Sequence, residues 1–176
     1  MLSWLAVDGT AAIVEFPGVL YRGAAEAKIR QYLVENNYVD AVIQLPPDLF
    51  FGTTIGTCVI VLKKSKQDNS VLFVDASKQF VREGNKNKLS AENQEMILET
   101  LSKRADVDHV AALVSAEAIR ENSFILSVSS YVESEDTREE VDIVELNARI
   151  KEIVERQAVL RASIDEIVAD LEGGAR

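Results

Sequence analysis

An apolar stretch, an amphipathic stretch and a second apolar stretch follow one another with short links in the first part of this chain, and that succession leaves few folds open. Thr10-Ala11-Ala12-Ile13-Val14-Glu15-Phe16 is β-rich, starts after Asp8-Gly9 and stops at Pro17-Gly18, the pattern of a buried strand. From Ala24 to Asn36 a helix is expected, with Ala25, Ile29, Tyr32 and Leu33 on one face and Glu26, Lys28, Arg30 and Glu35 on the other. Asn36-Asn37 ends it, and a strand follows from Val39 to Leu45. Strand, helix, strand with short connections is a right-handed crossover unit, so the fold class is α/β with at least part of a parallel sheet covered by helices. Met1 to Ala6 reads as the end of a helix that began before residue 1.

Two further apolar runs, Thr57 to Lys63 and Val71 to Asp75, are joined by the short polar link Lys64 to Ser70. An antiparallel hairpin added to the sheet edge is the expectation. Asn85 to Lys88 reads as a polar loop, and Ser90 is a serine N-cap for a helix running to about Ser102. A short strand over His109 to Val114, a helical turn over Ser115 to Glu121 and an extended segment over Ile125 to Val132 complete a domain of residues 1–132.

Residues 133–140 are acidic and poor in apolar side chains, as a linker would be. Beyond them, over residues 141–172, Ile143, Leu146, Ile150, Ile153, Gln157, Leu160, Ile164, Ile167 and Leu171 alternate at spacings of three and four. That is a heptad seam on a long C-terminal helix, with Gln157 its one polar member, and Val154 and Val168 widen the stripe. Gly173-Gly174 closes it. The helix either folds back on its own domain or docks on another chain through these nine residues. The acidic linker, and the marginal stability of isolated helices in water, favour docking.

Charge narrows the function classes. Residues 1–132 carry 13 Lys+Arg against 16 Asp+Glu, whereas residues 133–176 carry 6 against 13, so the acidity belongs mainly to the tail. A chain of net charge −10 is a poor lone binder of nucleic acid, because phosphate binding draws on basic side chains that release counterions. Lys63, Lys64 and Lys66 are the candidates for touching a DNA backbone, within a complex that brings basic surface from elsewhere. Cys58 is the single cysteine and sits in an apolar run, where a small core residue is expected. His109 is the single histidine, so no His/Cys zinc cluster can be assembled, and a surface imidazole is the simpler reading. No apolar run approaches the roughly 18–20 residues of a membrane span, and a soluble, cytoplasmic chain with no membrane contact is expected.

Leu45-Pro46-Pro47-Asp48-Leu49-Phe50-Phe51 at a strand end invites comparison with the motif of amino-methyltransferases, Asn or Asp, then Pro-Pro, then an aromatic residue. There the first side chain and a carbonyl accept hydrogen bonds from the exocyclic amine, and the ring stacks on the flipped base. Leu45 offers no acceptor and Asp48 no ring, so this stretch reads as a rigid exit from a strand. Asp40, Asp48 and Asp75 have no partner histidine or metal spacing and read as strand-end and turn residues rather than hydrolase acids.

The wider wording is more specific. Val19-Leu20-Tyr21-Arg22-Gly23, Ile29-Arg30-Gln31-Tyr32-Leu33, Val39-Asp40-Ala41-Val42-Ile43-Gln44-Leu45-Pro46, Leu49-Phe50 with Thr53-Thr54-Ile55, Val59-Ile60-Val61-Leu62-Lys63-Lys64 and Val71-Leu72-Phe73-Val74-Asp75-Ala76 occur in that order. Over about residues 9 to 132 the chain resembles the modification subunit of type I restriction systems, in the N6-adenine DNA methylase family. The resemblance implies part of a Rossmann-like sheet, its late strands in mixed order, in an enzyme that uses S-adenosylmethionine to methylate adenine N6. A specificity subunit would choose the DNA site and receive the terminal helix, and a restriction subunit would complete the complex that brings DNA. The family's glycine-rich cofactor loop and Asn-Pro-Pro-aromatic motif precede the matched region and have no counterpart here. A C-terminal portion is therefore expected, with no catalytic residue, no cofactor site, no metal and no activity alone. It would carry an unpaired sheet edge at Ile13-Val14-Phe16, with homo-oligomerisation as one way to cover it. A stand-alone α/β module that assembles through its coiled-coil helix is the competing reading.

Overall fold

The computed structural model describes residues 2–135 and 143–173. In chain order its elements are β1 (Thr10–Glu15), α1 (Ala24–Glu35), β2 (Val39–Gln44), β3 (Cys58–Lys63), β4 (Ser70–Asp75), β5 (Val81–Glu83), β6 (Lys86–Lys88), α2 (Ala91–Lys103), β7 (Ala111–Ser115), α3 (Ala116–Glu121) and α4 (Ile143–Gly173). The chain divides into two units, Met1–Glu135 and Asp136–Arg176.

The first unit is an α/β domain around a five-stranded mixed sheet of order β1-β3-β2-β4-β7. β3 is antiparallel to both β1 and β2, so these two run the same way, as a crossover requires, but with β3 between them. β2 is parallel to β4, and β4 is antiparallel to β7. The expected β3–β4 hairpin is therefore incorrect, because β2 separates the two strands. The reason lies in composition: five successive residues of β2 are buried, and a strand buried on both faces gains most from the centre of a sheet.

The link from β3 to β4 is pinned across the start of β2 by Lys66, whose Nζ donates to the Val39 and Ser70 carbonyls, each at 2.6 Å. Within β2, Val39 faces Leu62 and Ala41 faces Val61, which leaves Asp40 as the extra residue of a bulge. Val39 and Val42 consequently reach the same side of the sheet.

That side holds Leu20, Val34, Phe73, Ile119 and Leu126, under α1, α3 and the segment before residue 133. Phe73 is fully buried and stacks on Tyr131, the ring centroids 4.3 Å apart. The opposite side buries Ala41, Ile43, Leu72 and Val74 against Ile97 of α2. α2 starts with a capping box, Ser90 accepting from the Asn93 backbone while the Asn93 side chain accepts from Ser90 N–H.

Several local expectations are corrected. Leu2–Trp4 is one 3-10 turn, where helix was expected, and Met1 lies outside the described residues. Residues 85–88 are not a loop but the second half of the β5–β6 hairpin, which turns at Gly84 with φ +60. The strand expected from His109 starts at Ala111, because His109 itself lies in a turn at φ +60. Residues 125–132 are broken by a 3-10 turn at Val128–Ser130, with Leu126, Val128 and Val132 buried.

Arg30, placed on the polar face of α1, is 5% exposed, and its Nε and Nη1 donate to the Phe124 and Val19 carbonyls at 2.8 and 2.9 Å. Burial lowers its pKa, against a smaller opposing effect of Glu26. Ile29 and Tyr32 of the expected core face are exposed instead.

The second unit contains α4, 31 residues long, about 46 Å at the helical rise. Of the expected acidic linker, residues 136–140 lie outside the described residues, as do residues 141 and 142, where the helix was expected to start, and Gly174. Among the described residues no helix is long and apolar enough to cross a membrane.

Candidate functional site

The Pro-Pro stretch is an ordered loop. Leu45 N–H donates to the Thr57 carbonyl at 2.8 Å and closes its stem, and Pro46 is fully buried there. Gly56 packs closely at that stem: a Cβ would lie 3.2 Å from the Leu45 carbonyl oxygen and from Gln44 Nε2, so a side chain would push on both. The outer loop is held by β5–β6 through backbone groups. Asn87, 6% exposed, donates from Nδ2 to the Pro47 carbonyl at 2.8 Å and from N–H to the Asp48 carbonyl at 3.1 Å. Lys86 Nζ donates to the Phe50 and Thr53 carbonyls, both at 3.2 Å. Asp48, at φ +55, faces Arg82 at 3.5 Å and Lys86 at 3.8 Å.

The bracing presents Phe50 and a fully exposed Phe51 at the loop tip. The titratable groups beside the tip, Asp48, Arg82 and Lys86, face one another, and the tip itself offers an aromatic contact surface.

Asp40 organises a second polar site. Its Oδ2 pairs with Lys63 Nζ at 2.9 Å and its Oδ1 with Arg104 Nη1 at 2.8 Å, while Arg104 Nη2 reaches the Ser70 carbonyl at 3.3 Å. Arg104 closes α2 in the left-handed region at φ 44, its N–H donating to the Thr100 carbonyl at 3.2 Å. The surrounding cavity, about 270 Å³, also admits Asp8, Lys66 and Asp68, so acids and bases balance there. Lys66 has a lowered pKa, through desolvation first, opposed by Asp40 and Asp68.

Each lysine considered for DNA contact thus already donates internally: Lys63 to Asp40, Lys66 to two carbonyls, and Lys64 Nζ to the Leu5 carbonyl at 2.6 Å. Among the described residues no group of three or more His, Cys, Asp or Glu is placed to hold a metal ion.

Cys58, His109 and Asp75 each have a backbone hydrogen-bond partner. Cys58 is fully buried, donates to the Glu15 carbonyl at 3.4 Å, and has its thiol pKa raised to about 11 by burial and then by the Glu15 charge. His109 is exposed, its Nδ1 3.0 Å from the Glu133 carbonyl oxygen. Asp75 accepts from Ser77 N–H at 2.9 Å.

Two apolar surfaces stand open. Along α4, Ile143, Leu146, Ile150, Ile153, Gln157, Leu160, Ile164, Ile167 and Leu171 are all exposed, in one stripe as their spacing requires. β1 is an edge strand, paired with β3 alone among the described residues, and Val14 and the adjacent Phe16 are half exposed. Beside it Ile13, Val19, Ile29, Leu33, Ile60 and Leu126 line a mainly apolar cavity of about 210 Å³.

Sequence reasoning missed Asn87 and Arg104. An asparagine after Gly84-Asn85-Lys86 looks like turn material, and an arginine after a helix looks like a solvated C-terminal charge. The available signal was Asp40, a lone acid within an otherwise apolar strand, which requires cations nearby when buried.

Residues 1–140 match the family model described as N-6 DNA Methylase. The chain is 46% identical over 168 residues to the type I restriction enzyme MpnII methylase subunit of Mycoplasma pneumoniae, a match covering 95% of this chain and 31% of that protein. It is 32% identical over 167 residues to the MjaVII methylase subunit of Methanocaldococcus jannaschii, covering 92% and 28%. A crystal structure of the type I restriction-modification methyltransferase subunit from Streptococcus thermophilus superposes with a TM-score of 0.70 at 44% identity, over 71% of this chain and 27% of that one. The chain thus spans less than a third of the length of these relatives. By its matched residues and by its mixed sheet, this chain belongs to the N-6 DNA methylase family, among the methylase subunits of type I restriction-modification systems.

Proposed function

We propose that the chain is the C-terminal portion of such a methylase subunit, supplying late strands of the sheet and a helix that docks on the specificity subunit. The whole subunit methylates adenine N6 from S-adenosylmethionine, in the cytoplasm, on DNA brought by the complex with the specificity and restriction subunits. The single observation that carries the docking role is the exposed apolar seam of α4, in a chain whose residues 1–140 match the family model. The sheet role is supported by the free edge of β1 and the apolar cavity beside it, which further strands would cover.

The cofactor does not fit the residues present. In folds of this class it lies over a glycine-rich turn at a helix N-terminus. Here α2 and α3 have N-termini satisfied by their own Ser90 and Ser115 side chains, and α1 starts at the lone Gly23, where a methyl group would meet nothing. The chain on its own is accordingly read as inactive. Lys63, Lys64 and Lys66 remain candidates for backbone phosphates through their free N–H directions within the assembled complex.

Complementation tests this reading. Co-expressed with the upstream two-thirds of a related methylase, the chain should restore adenine methylation that neither part gives alone. Methylation by the chain by itself, or its binding of S-adenosylmethionine in calorimetry, would refute it.

A further inference from the structure

Charged residues on α4 sort by their position around the seam. With Gln157 at an a position, Arg149 and Arg156 occupy g and Arg161 occupies e, so every arginine of the helix flanks the seam within about two turns of its polar member. Glu145, Glu152, Glu155, Asp165 and Glu166 all take the outer b, c and f positions. The helix is acidic, with seven Asp+Glu against four Lys+Arg between residues 143 and 173, yet the e and g positions that border its apolar stripe hold three Arg against one acid, Asp170. Arg149, Arg156 and Arg161 are exposed and form no ion pair among the described residues.

We propose that the surface covering α4 is a helix of a chain with a different sequence, whose apolar seam is flanked by glutamate or aspartate. This rests on the docking reading above and adds the chemistry of the partner. Covering the seam lays the aliphatic stems of the three arginines along the interface and partly desolvates their guanidinium groups, which then need carboxylates. Charges at e and g choose partners in just this way. They also act against self-pairing: in a parallel in-register dimer of α4, Arg156 would face Arg161 of the second copy on both sides of the seam.

The test uses the full chain and two labelled designed peptides of α4's length, with the same Leu/Ile seam and one Asn in the Gln157 layer. One has Glu at every e and g position and the other has Lys. By fluorescence anisotropy the Glu peptide should bind at least about tenfold more tightly than the Lys peptide, by an amount that shrinks with added salt. Exchanging the charge with R156E/R161E should reverse the order. If that variant loses helical circular dichroism, R156Q and R161Q should each erode the preference instead.

Equal affinities, a preference for the Lys peptide, or an order unchanged in the variants would overturn the acidic-partner assignment while leaving docking intact. Failure of both peptides to bind at low salt would overturn docking itself, and the proposal with it. Self-association of the chain that Ile153→Asp abolishes would overturn the claim that the partner has a different sequence.

Discussion

Asn87 donates its Nδ2–H to the Pro47 carbonyl across 2.8 Å although forty residues separate them, and this bond fixes how the aromatic tip is displayed. The β5–β6 hairpin has little core of its own, since all three residues of β5 are exposed. Its buried Asn87 instead satisfies loop carbonyls that would be costly to leave bare.

Replacing Asn87 with alanine should cost about 1–3 kcal/mol in urea denaturation, because a buried acceptor loses its donor. Chymotrypsin should then cut at Phe50 or Phe51 under native conditions faster than in the parent chain. Unchanged stability and cleavage would mean that the loop holds its shape without the brace.

Asp40 is the more demanding position. Its carboxylate is largely buried between Lys63 and Arg104, and Asp40→Asn leaves Lys63 without its counter-charge and Arg104 with only Asp68, 3.7 Å away. A loss of about 2–4 kcal/mol in denaturant is expected, discounted from a fully buried pair because both cations are partly exposed. The double variant with Arg104→Met should recover part of that loss, which a double-mutant cycle would measure.

The strands and helices with clean periodicity were legible in the sequence. β1, α1, β2, β3, β4 and α2 fall within a residue or two of their expected bounds. Strand order was not legible, because the pairing of β2 between β3 and β4 depends on which run buries both faces. Polarity alone also misplaced Arg30, which is buried because its fork meets two carbonyls from distant turns. In the candidate site, the Pro-Pro stretch leaves the end of β2 where the sequence placed it, since proline chemistry is local. Its brace was not read, since Asn87 acts on it across forty residues.

The Cys58 thiol supplies a pH test. Its pKa in the fold is about 11 against an ordinary 9.0, so the folded chain holds this proton more tightly than the unfolded one. Its contribution is therefore fully present below pH 9 and is lost as pH rises from 9.0 towards 11. Two pKa units correspond to roughly 2–3 kcal/mol. Relative to Cys58→Ala, the parent chain should lose stability over that interval. Parallel pH profiles would show that burial does not hold the thiol neutral.

The seam of α4 carries the central claim. Purified chain should bind the specificity subunit of its own system in isothermal titration calorimetry, and Ile153→Asp with Leu160→Asp should weaken that binding by at least about a hundredfold, since each places a charge in an apolar interface. The thermal transition of the α/β domain should stay where it is in the double variant. Binding that survives both substitutions would contradict docking through the seam, and loss of the domain's own transition would show that the helix folds back on it instead.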